Sequence, residues 1–399
     1  MVHQTINTNT NKASSASSKS NTMKRFLHLF VQCAIVGMLA ACVSTPPAPG
    51  LAPDVTAVDD NGPLPDSITQ SKSRWTPVRW RELPGWTADS EGLHDAWSAW
   101  LKSCEKPATA LATLCSEVRR LSIASAGEQR AWMMQKLQPY RVESLQGQSE
   151  GLLTAYYEPV LVASRTARPG FSVPLYRPPA GMAARNPWYT RQEMDTLPQV
   201  KAQLRGYEVA YVADPIDALI LHIQGSGRVS MMEPDGSRRM VRLAFASTND
   251  QAYKSVGRWL LDQGGTRDVS WPGIKSWLVQ NPQRVNELLW SNPRVVFFRE
   301  EAMPDAQTGP KGAQGVALTP GRSIAVDRAS IPYGAPVWLA SDGAAQRLQK
   351  LVFAQDTGSA ILGAVRADYF MGWGAEAGEL AGRTKQPLQL WVLWPKTRL

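Results

Sequence analysis

Three aspartates in the last fifth of the chain are the residues best suited to acid–base chemistry. Asp327 closes the segment SIAVD, Asp356 begins DTGSAILG, and Asp368 lies in AVRADYF. Each is expected at a strand end or in a turn, where barrels place functional groups, and nearby glycines let the backbone approach a ligand closely. A single aspartate in such a position is usually a turn or cap residue, so the interpretation depends on the set.

No other group of residues indicates a different chemistry. The four histidines (His3, His28, His94 and His222) and the four cysteines show no metal-ligand spacing. The sequence also contains no nucleophile elbow and no phosphate-binding loop. We therefore expect neither a metal nor another cofactor.

Short strands are expected to position the aspartates. Composition predicts strands at 152–165, 172–178, 207–213, 218–223, 295–299, 323–327, 336–340, 350–356 and 388–394. Gly/Pro turns separate the later strands, which suggests a small closed β-barrel. Apolar residues at helical spacing, such as Leu93, Trp97 and Trp100, predict that 76–140 is largely helical, as are 253–261 and 274–290. Most of the 15 tryptophans are expected in the core.

The N-terminal region has the features of an address. Lys24 and Arg25 precede an apolar stretch, 26–39, that ends in Leu-Ala-Ala-Cys42. A basic region, a short apolar core and small residues before a cleavage site predict a secretory signal over residues 1–41. The Ser/Thr/Asn-rich residues 1–22 would be unusual ahead of a signal, so Met23 is the expected true start.

The residues around Cys42 resemble the lipobox of bacterial lipoproteins, in which the cysteine carries the lipid and becomes the mature N-terminus. Val43 follows where an aspartate would favour the inner membrane, so we expect an outer-membrane anchor facing the periplasm. An ordinary signal peptide with an incidental cysteine is the alternative. The Pro-, Gly- and Ser-rich residues 42–74 are then expected to be a disordered tether.

Two cysteines remain for the folded part of the chain. In an oxidising compartment Cys104 and Cys115 are expected to form a disulfide that closes a short loop; two free buried thiols are the alternative. The formal net charge of +9 includes four cationic residues within 1–41. The rest is a mild excess without a basic run, which argues against nucleic acid and suits an anionic polymer.

The aspartate segments, taken together, resemble a known family. AVDRASIPYGAPVWL and AQDTGSAILGAVRADYFMGWG closely resemble the three-aspartate domain of membrane-bound lytic transglycosylase A. GLLTAYYEPVLVAS, LHIQGSGRV, VRLAFASTND and NPRVVFFRE resemble other segments of that family, so the likeness runs from about residue 75 to the C-terminus. It implies a mainly β fold with flanking helices. A double-psi β-barrel (75–159 and 291–399) would carry an inserted β-domain (160–290), with a groove between them.

The resemblance also implies an activity, that of a peptidoglycan lytic exotransglycosylase. Such a lyase cleaves the β-1,4 bond between N-acetylmuramic acid and N-acetylglucosamine and leaves 1,6-anhydromuramoyl ends. Matched motif to motif, Asp368 would be the single acid and then base, with Asp356 and Asp327 in support. Its pKa would have to be raised by burial or by nearby negative charge.

Four further residues are expected to contact the glycan: Tyr156, Gln224, Ser226 and Thr357. Gly225 and Gly227 would allow close approach, although a structural Gly-rich turn also explains this segment. The family's Thr-Gly-Tyr-Tyr glycine is Ala155 here, which would be strained if the position needs a positive φ.

Two other functions stay open at this point. The same barrel could serve a non-catalytic wall-binding lipoprotein, since fold alone does not decide function. A true muramidase would need a second carboxylate, Glu158 or Asp356, to activate water. The expected partners are peptidoglycan strands, the outer membrane through the lipid, and cell-wall synthesis or lysis proteins, with no nucleic acid.

Overall fold

The computed structural model describes residues 60–86 and 93–396. The predicted signal region 1–41, the predicted lipid site Cys42 and residues 43–59 of the predicted tether lie outside these ranges. Among the helices within these ranges, none has the length and apolar character needed to cross a bilayer.

Most of the described residues lie in short strands and helices. The strands are β1 (Ile68–Thr69), β2 (Arg74–Pro77), β3 (Leu137–Glu143), β4 (Gly151–Glu158), β5 (Val160–Ser164), β6 (Val173–Tyr176), β7 (Glu208–Val212), β8 (Gly227–Met232), β9 (Arg238–Thr248), β10 (Val296–Ala302), β11 (Ser323–Val326), β12 (Pro336–Asp342), β13 (Arg347–Asp356), β14 (Arg366–Trp373) and β15 (Lys385–Pro395). The α-helices are α1 (Leu93–Ser103), α2 (Thr109–Ala112), α3 (Cys115–Arg120), α4 (Ala126–Lys136), α5 (Arg191–Thr196), α6 (Pro198–Leu204), α7 (Pro215–Gln224), α8 (Val256–Asp262), α9 (Trp271–Gln280), α10 (Val285–Ser291) and α11 (Gly374–Arg383).

The larger sheet closes on itself. Its strand order is β1-β2-β3-β15-β12-β13-β11-β14-β4, and β15 also pairs with β4, so six strands form a ring. Two neighbouring pairs in the ring, β11–β13 and β14–β4, are parallel, while the pairs that include β12 or β15 are antiparallel. The predicted mainly β fold with a barrel is therefore confirmed.

The second sheet lies between β4 and β11 in the chain. Its order is β10-β9-β8-β5-β7-β6, and its own apolar core includes Val229, Leu243 and Phe298. The strand β10 pairs with β9 along most of its length. The predicted boundary at residue 290 therefore falls too early, because β10 completes the second sheet before the chain returns to the barrel.

Helices cover one side of the barrel. On α1, Leu93, Trp97 and Trp100 are fully buried against the barrel core, as their helical spacing predicts. The end of α1 is joined to the start of α3 by a disulfide between Cys104 and Cys115, whose Cα atoms are 5.5 Å apart. A bridge over so short a loop typically adds about 3 kcal/mol by restricting the unfolded chain.

Residues 218–223 were predicted as a strand, and that prediction is wrong: they lie in α7. The carboxylate of Asp214 accepts a hydrogen bond from the amide of Ile216 at 2.8 Å, Pro215 occupies the first turn, and Gly225 ends the helix with φ 82°. These are strong helix-end signals. The run between them is buried almost all round, and a short apolar run of that kind does not distinguish helix from strand by periodicity.

Residues 60–74 were assigned to the tether, but they belong to the folded unit. The amide of Lys72 donates to the carbonyl of Ala329 at 3.2 Å, and the hydroxyl of Ser73 donates to the carbonyl of Ser330 at 3.1 Å. The strand β2 then adds to the barrel sheet through β3. Backbone pairing and burial of Ser73 hold this segment despite its polar composition.

Candidate active site

A cavity of about 350 Å³ lies between the barrel and the second sheet. Both units line it. The barrel contributes Thr154, Tyr156, Asp356, Arg366 and Asp368, and the inserted unit contributes His222, Gln224, Tyr253, Asn292 and Arg294. A second cavity of about 510 Å³ shares several of these residues and so continues the first one as a groove.

Asp368 lies within β14 and not at a strand end or in a turn as predicted. It stands between two neighbouring strands, opposite Thr154 of β4 and opposite Ala325 of β11. The hydroxyl of Thr154 donates a hydrogen bond to Oδ1 of Asp368, and Nη2 of Arg366 donates to the same hydroxyl at 2.8 Å. The parallel register of β4 and β14 therefore places the carboxyl and its donor side by side.

The environment of Asp368 favours its protonated form. Burial raises its pKa to about 6, the hydrogen bond from Thr154 and the charge of Arg366 oppose the rise, and the charge of Asp356 adds to it. Burial disfavours an ionised carboxylate because the cavity solvates a charge less well than bulk water does. Near neutral pH this group can thus both hold and release a proton.

Asp356 ends β13 on the same cavity wall and receives more donors. The hydroxyl of Tyr156 donates to its Oδ2 at 2.8 Å, and the amide of Ala313 donates to its Oδ1 at 2.9 Å. Burial raises the pKa of Asp356, while these two donors and the amide of Thr357 work against that rise. Several donors directed at one carboxylate stabilise its ionised form.

Tyr156 connects Asp356 to the cavity wall. Its ring packs against Phe370 at 5.3 Å between centroids, on the strand next to its own. Burial, followed by the charge of Asp356, raises the pKa of Tyr156 well above its usual range. The hydroxyl therefore keeps its proton and acts as a fixed donor to Asp356.

Asp327 does not line either cavity. Its carboxylate binds Nζ of Lys72 at 3.0 Å, the amide of Gly363 at 2.9 Å and the amide of Ala329 at 3.0 Å. Burial raises the pKa of Asp327, but these three donors outweigh burial and hold the pKa below its usual value. Asp327 thus fixes the segment between β13 and β14, part of which lines the cavity, and ties it to the N-terminal residues of the folded unit.

The four predicted contact residues all lie at the groove. Gln224 and Thr357 line both cavities, and Ser226 lines the second. The side-chain oxygen of Gln224 accepts a hydrogen bond from the amide of Tyr157 at 3.0 Å, which ties α7 to β4. The hydroxyl of Thr357 donates to the carbonyl of Val326 at 2.8 Å, so it fixes the backbone beside Asp327.

Glu158 is not a groove residue. Its carboxylate is fully buried and binds Nε of Arg228 at 2.8 Å and Nε of Arg242 at 2.6 Å. The guanidinium of Arg228 also lies over the ring of Trp373 at 3.6 Å. The expectation of a second carboxylate in the groove at this position is therefore wrong, as is the simpler expectation that Glu158 is solvated at the surface.

Ala155 causes no strain where the related segment has glycine. It lies in the extended strand β4 opposite Tyr369, and in the described ranges Asp250 is the one non-glycine residue with a positive φ. The alignment of its neighbours Thr154 and Tyr156 therefore needs no backbone adjustment.

Several cavity residues escaped the sequence reasoning. Thr154 and Arg366 each lie two positions from a residue that it did identify, Tyr156 and Asp368, and alternation along a strand puts such pairs on one face. Tyr253 and Arg294 come from the inserted unit and carried no comparable signal. Burial raises the pKa of Tyr253, and the charge of Asp368 adds to it, so this hydroxyl too stays protonated.

His222 lines both cavities as a neutral ring. Its Nδ1 accepts a hydrogen bond from the amide of Val296 at 3.0 Å. Burial first, and then the charge of Arg191, lower the pKa of His222 well below its usual value. In the described part of the chain, no group of three or more His, Cys, Asp or Glu side chains is placed to hold a metal ion.

Comparison with known proteins agrees with the two-part architecture. A family model described as the MltA specific insert domain matches residues 152–299, and one described as the 3D domain matches residues 322–394. The membrane-bound lytic murein transglycosylase A of Escherichia coli (strain K12) is 31% identical over 283 residues, which cover 68% of this chain and 73% of that protein.

Two solved structures share the fold along nearly their whole length. The lytic transglycosylase LtgG of Burkholderia pseudomallei is 42% identical with a TM-score of 0.57, and the match covers 84% of this chain and 98% of that one. MltA from Neisseria gonorrhoeae is 28% identical with a TM-score of 0.69, over 85% and 97% of the two chains. The named relatives are enzymes that cleave murein, and the chain therefore belongs to the membrane-bound lytic murein transglycosylase A family.

Proposed function

We propose that this protein cleaves the β-1,4 bond between N-acetylmuramic acid and N-acetylglucosamine in peptidoglycan, with Asp368 as the acid and then the base. The observation that carries the proposal is a buried aspartate with a pKa of about 6 in a groove between two domains. A catalytic acid works best with a pKa near the working pH, and an ordinary aspartate is far too acidic for that task.

The reaction balances without water. Asp368 gives its proton to the glycosidic oxygen while the bond from that oxygen to the anomeric carbon breaks, and positive charge develops on the sugar ring. The 6-hydroxyl of the same muramic acid then attacks the anomeric carbon, and its proton passes to Asp368. Because the nucleophile belongs to the same sugar, its effective concentration is high. The product is a 1,6-anhydromuramoyl end, and Asp368 recovers its proton.

Asp356 suits a different task in the same site. Its carboxylate accepts hydrogen bonds from Tyr156 and Ala313, which favour the ionised form. A fixed negative charge near the sugar stabilises the oxocarbenium-like transition state, and it also raises the pKa of Asp368. Two carboxyl groups in one cavity thereby divide into a proton carrier and an electrostatic support. Asp327 supports the site indirectly through Gly363.

The groove residues would bind the glycan through polar contacts. Tyr156, Gln224, Ser226 and Thr357 line the walls on either side of Asp368 or continue from it. Amide and hydroxyl groups of this kind can donate to or accept from N-acetyl and hydroxyl groups of the sugars. Contacts of this kind would offset the cost of distorting the ring, about 1–5 kcal/mol.

The two alternative functions have less support. A water-activating Glu158 is excluded by its two guanidinium partners, which leaves Asp356 as the base that a hydrolase would use. A non-catalytic binding protein would have no need for an aspartate with a raised pKa, since burying it costs stability once it ionises. Product mass separates the lyase from the hydrolase.

We place the enzyme at the outer membrane, facing the periplasm, through a lipid on Cys42. The basic and apolar residues 24–39 followed by Ala-Ala-Cys support this, and the E. coli relative is named membrane-bound. Residues 43–59 would span the distance to the cell-wall layer as a tether.

Replacing Asp368 tests the reaction. The full-length Asp368→Asn protein in detergent should release no soluble muropeptides from purified sacculi, at least about 1,000-fold less than wild type, because the amide cannot supply a proton. Wild-type products should carry anhydro ends, which mass spectrometry detects as one water lighter than reducing ends.

The matched control is Asp342→Asn, an exposed aspartate on β12 away from the groove, which should keep full activity. Wild-type products with reducing ends alone would replace the lyase by a hydrolase. Full lytic activity of Asp368→Asn would remove Asp368 from the mechanism.

Replacing Thr154 by valine tests the control of the Asp368 pKa. The hydroxyl stabilises the ionised carboxylate, so its loss should raise the pKa. Activity that depends on the protonated acid falls as pH rises through that pKa, so the alkaline limb of the kcat/KM profile should move to higher pH. Thr357→Val is the control, because its hydroxyl contacts Val326 and not Asp368. A limb that stays in place or moves to lower pH would contradict this role of Thr154.

Replacing Cys42 tests the anchor. With Cys42→Ala, the protein should take up no labelled fatty acid and should leave the outer-membrane fraction, because acyl chains supply most of the membrane affinity. Cys33→Ala, within the same predicted signal, is the matched control and should stay in the membrane fraction. Equal membrane association of wild type and Cys42→Ala would refute lipidation at this residue.

A further inference from the structure

The second cavity differs in charge from the first. The charged side chains that line it are Lys106, Arg294, Arg299 and Lys311, with Asp356 as the one acid among them. Asp356 lies on the part that the two cavities share, so the far part of the groove is lined by cations. An uncharged sugar polymer gives no reason for this arrangement.

Three of these four cations have no carboxylate partner. In the described residues Lys106, Lys311 and Arg294 form no ion pair, whereas Arg299 binds Glu301 at 2.7 Å. Arg294 is half-buried and donates from Nη1 to the carbonyl of Gln251 at 3.1 Å, and burial lowers its pKa. A partly buried guanidinium without a counterion has a free-energy cost that an anionic ligand would relieve.

An exposed aromatic ring lies in the same cavity. Phe245 of β9 is 46% exposed, although large apolar side chains are usually covered, and its backbone carbonyl accepts a hydrogen bond from Arg299. The apolar face of a pyranose stacks on such a ring. The cavity therefore combines a surface for a sugar face with cations around it, and a volume of about 510 Å³ accommodates a sugar with a substituent.

We propose that the second cavity is a subsite that binds a muramic acid through its carboxylates, with Lys106, Lys311 and Arg294 as the cations and Phe245 as the stacking surface. The proposal rests on the proposed glycan cleavage, because it assigns specificity to the same groove. Muramic acid differs from N-acetylglucosamine by a lactyl ether. That lactyl group ends in a free carboxylate on peptide-free strands and in an amide to a stem peptide with its own carboxylates on peptide-bearing strands.

The subsite would let the enzyme distinguish muramyl strands from chitin, whose sugars carry no charge. Lys106 and Lys311 are exposed, so each should add a modest, salt-sensitive attraction, while the half-buried Arg294 should contribute more. Such attraction selects the substrate without a part in proton transfer. It also sets the position of one muramic acid along the groove relative to Asp368.

The test measures binding by the full-length Asp368→Asn protein in detergent, so that no strand is cut. Three glycans of equal length are compared at low salt: peptide-free muramyl strands, peptide-bearing strands and chitohexaose. Lys106→Gln/Lys311→Gln should weaken binding of at least one muramyl strand about fivefold and leave chitohexaose within a factor of about 1.5. The muramyl strand that loses affinity identifies the lactyl carboxylate or the stem-peptide carboxylates as the ligand, and about 0.5 M salt should remove the difference.

Lys201→Gln/Lys385→Gln is the matched control, since it removes the same charge from exposed positions outside both cavities. Phe245→Ala should weaken all three glycans alike, because stacking does not depend on charge. Equal effects of the Lys106/Lys311 pair on all three glycans, or no effect on either muramyl strand, would overturn the carboxylate subsite. The proposed cleavage reaction would be untouched by that result, because product mass with wild-type protein judges it separately.

Discussion

The whole account depends on the incomplete solvation of one carboxyl group. Asp368 meets the cavity from the middle of a barrel strand, where Thr154 is its one hydroxyl donor and bulk water is largely excluded. With a pKa near 6, ionising it in the folded protein costs about 3 kcal/mol relative to an unfolded aspartate. By linkage, the stability that the protonated form preserves is complete at acidic pH below the unfolded pKa. It is lost as pH rises through the folded pKa. The fold tolerates that loss at neutral pH, which is typical of a site under functional constraint.

The rest of the structure holds this group and its surroundings in place. The parallel register of β4 and β14 sets Asp368 beside Thr154, and α7 is tied to β4 through Gln224. Two other buried aspartate and glutamate side chains act as anchors. Asp327 joins Lys72 to Gly363 on the segment between β13 and β14. Glu158, held by Arg228 and Arg242, sits at the passage from β4 to the inserted sheet. A buried pair of this kind is strongly destabilised when one partner is removed, so it fixes the passage in one arrangement.

Much of this was readable from the sequence, and the rest was not for identifiable reasons. Strands of the barrel followed from β-branched content and turns, and α1 followed from the spacing of Leu93, Trp97 and Trp100. The segment 218–223 failed because an apolar run buried on most sides has no informative period, although Asp214, Pro215 and Gly225 carried the helix signals. Side-chain partners are tertiary facts: no spacing shows that Glu158 meets two arginines far along the chain. The pairing of Thr154 with Asp368 depends on strand register, which one sequence does not specify.

The most direct measurement is the titration of Asp368 itself. In protein labelled with ¹³C at aspartate carboxyl carbons, the Asp368 signal, assigned by its absence in Asp368→Asn, should titrate with a midpoint near 6. A midpoint close to 4, the ordinary value for aspartate, would mean that the group is ionised throughout the neutral range. That result would contradict the account, because no proton would then be available for the leaving sugar oxygen.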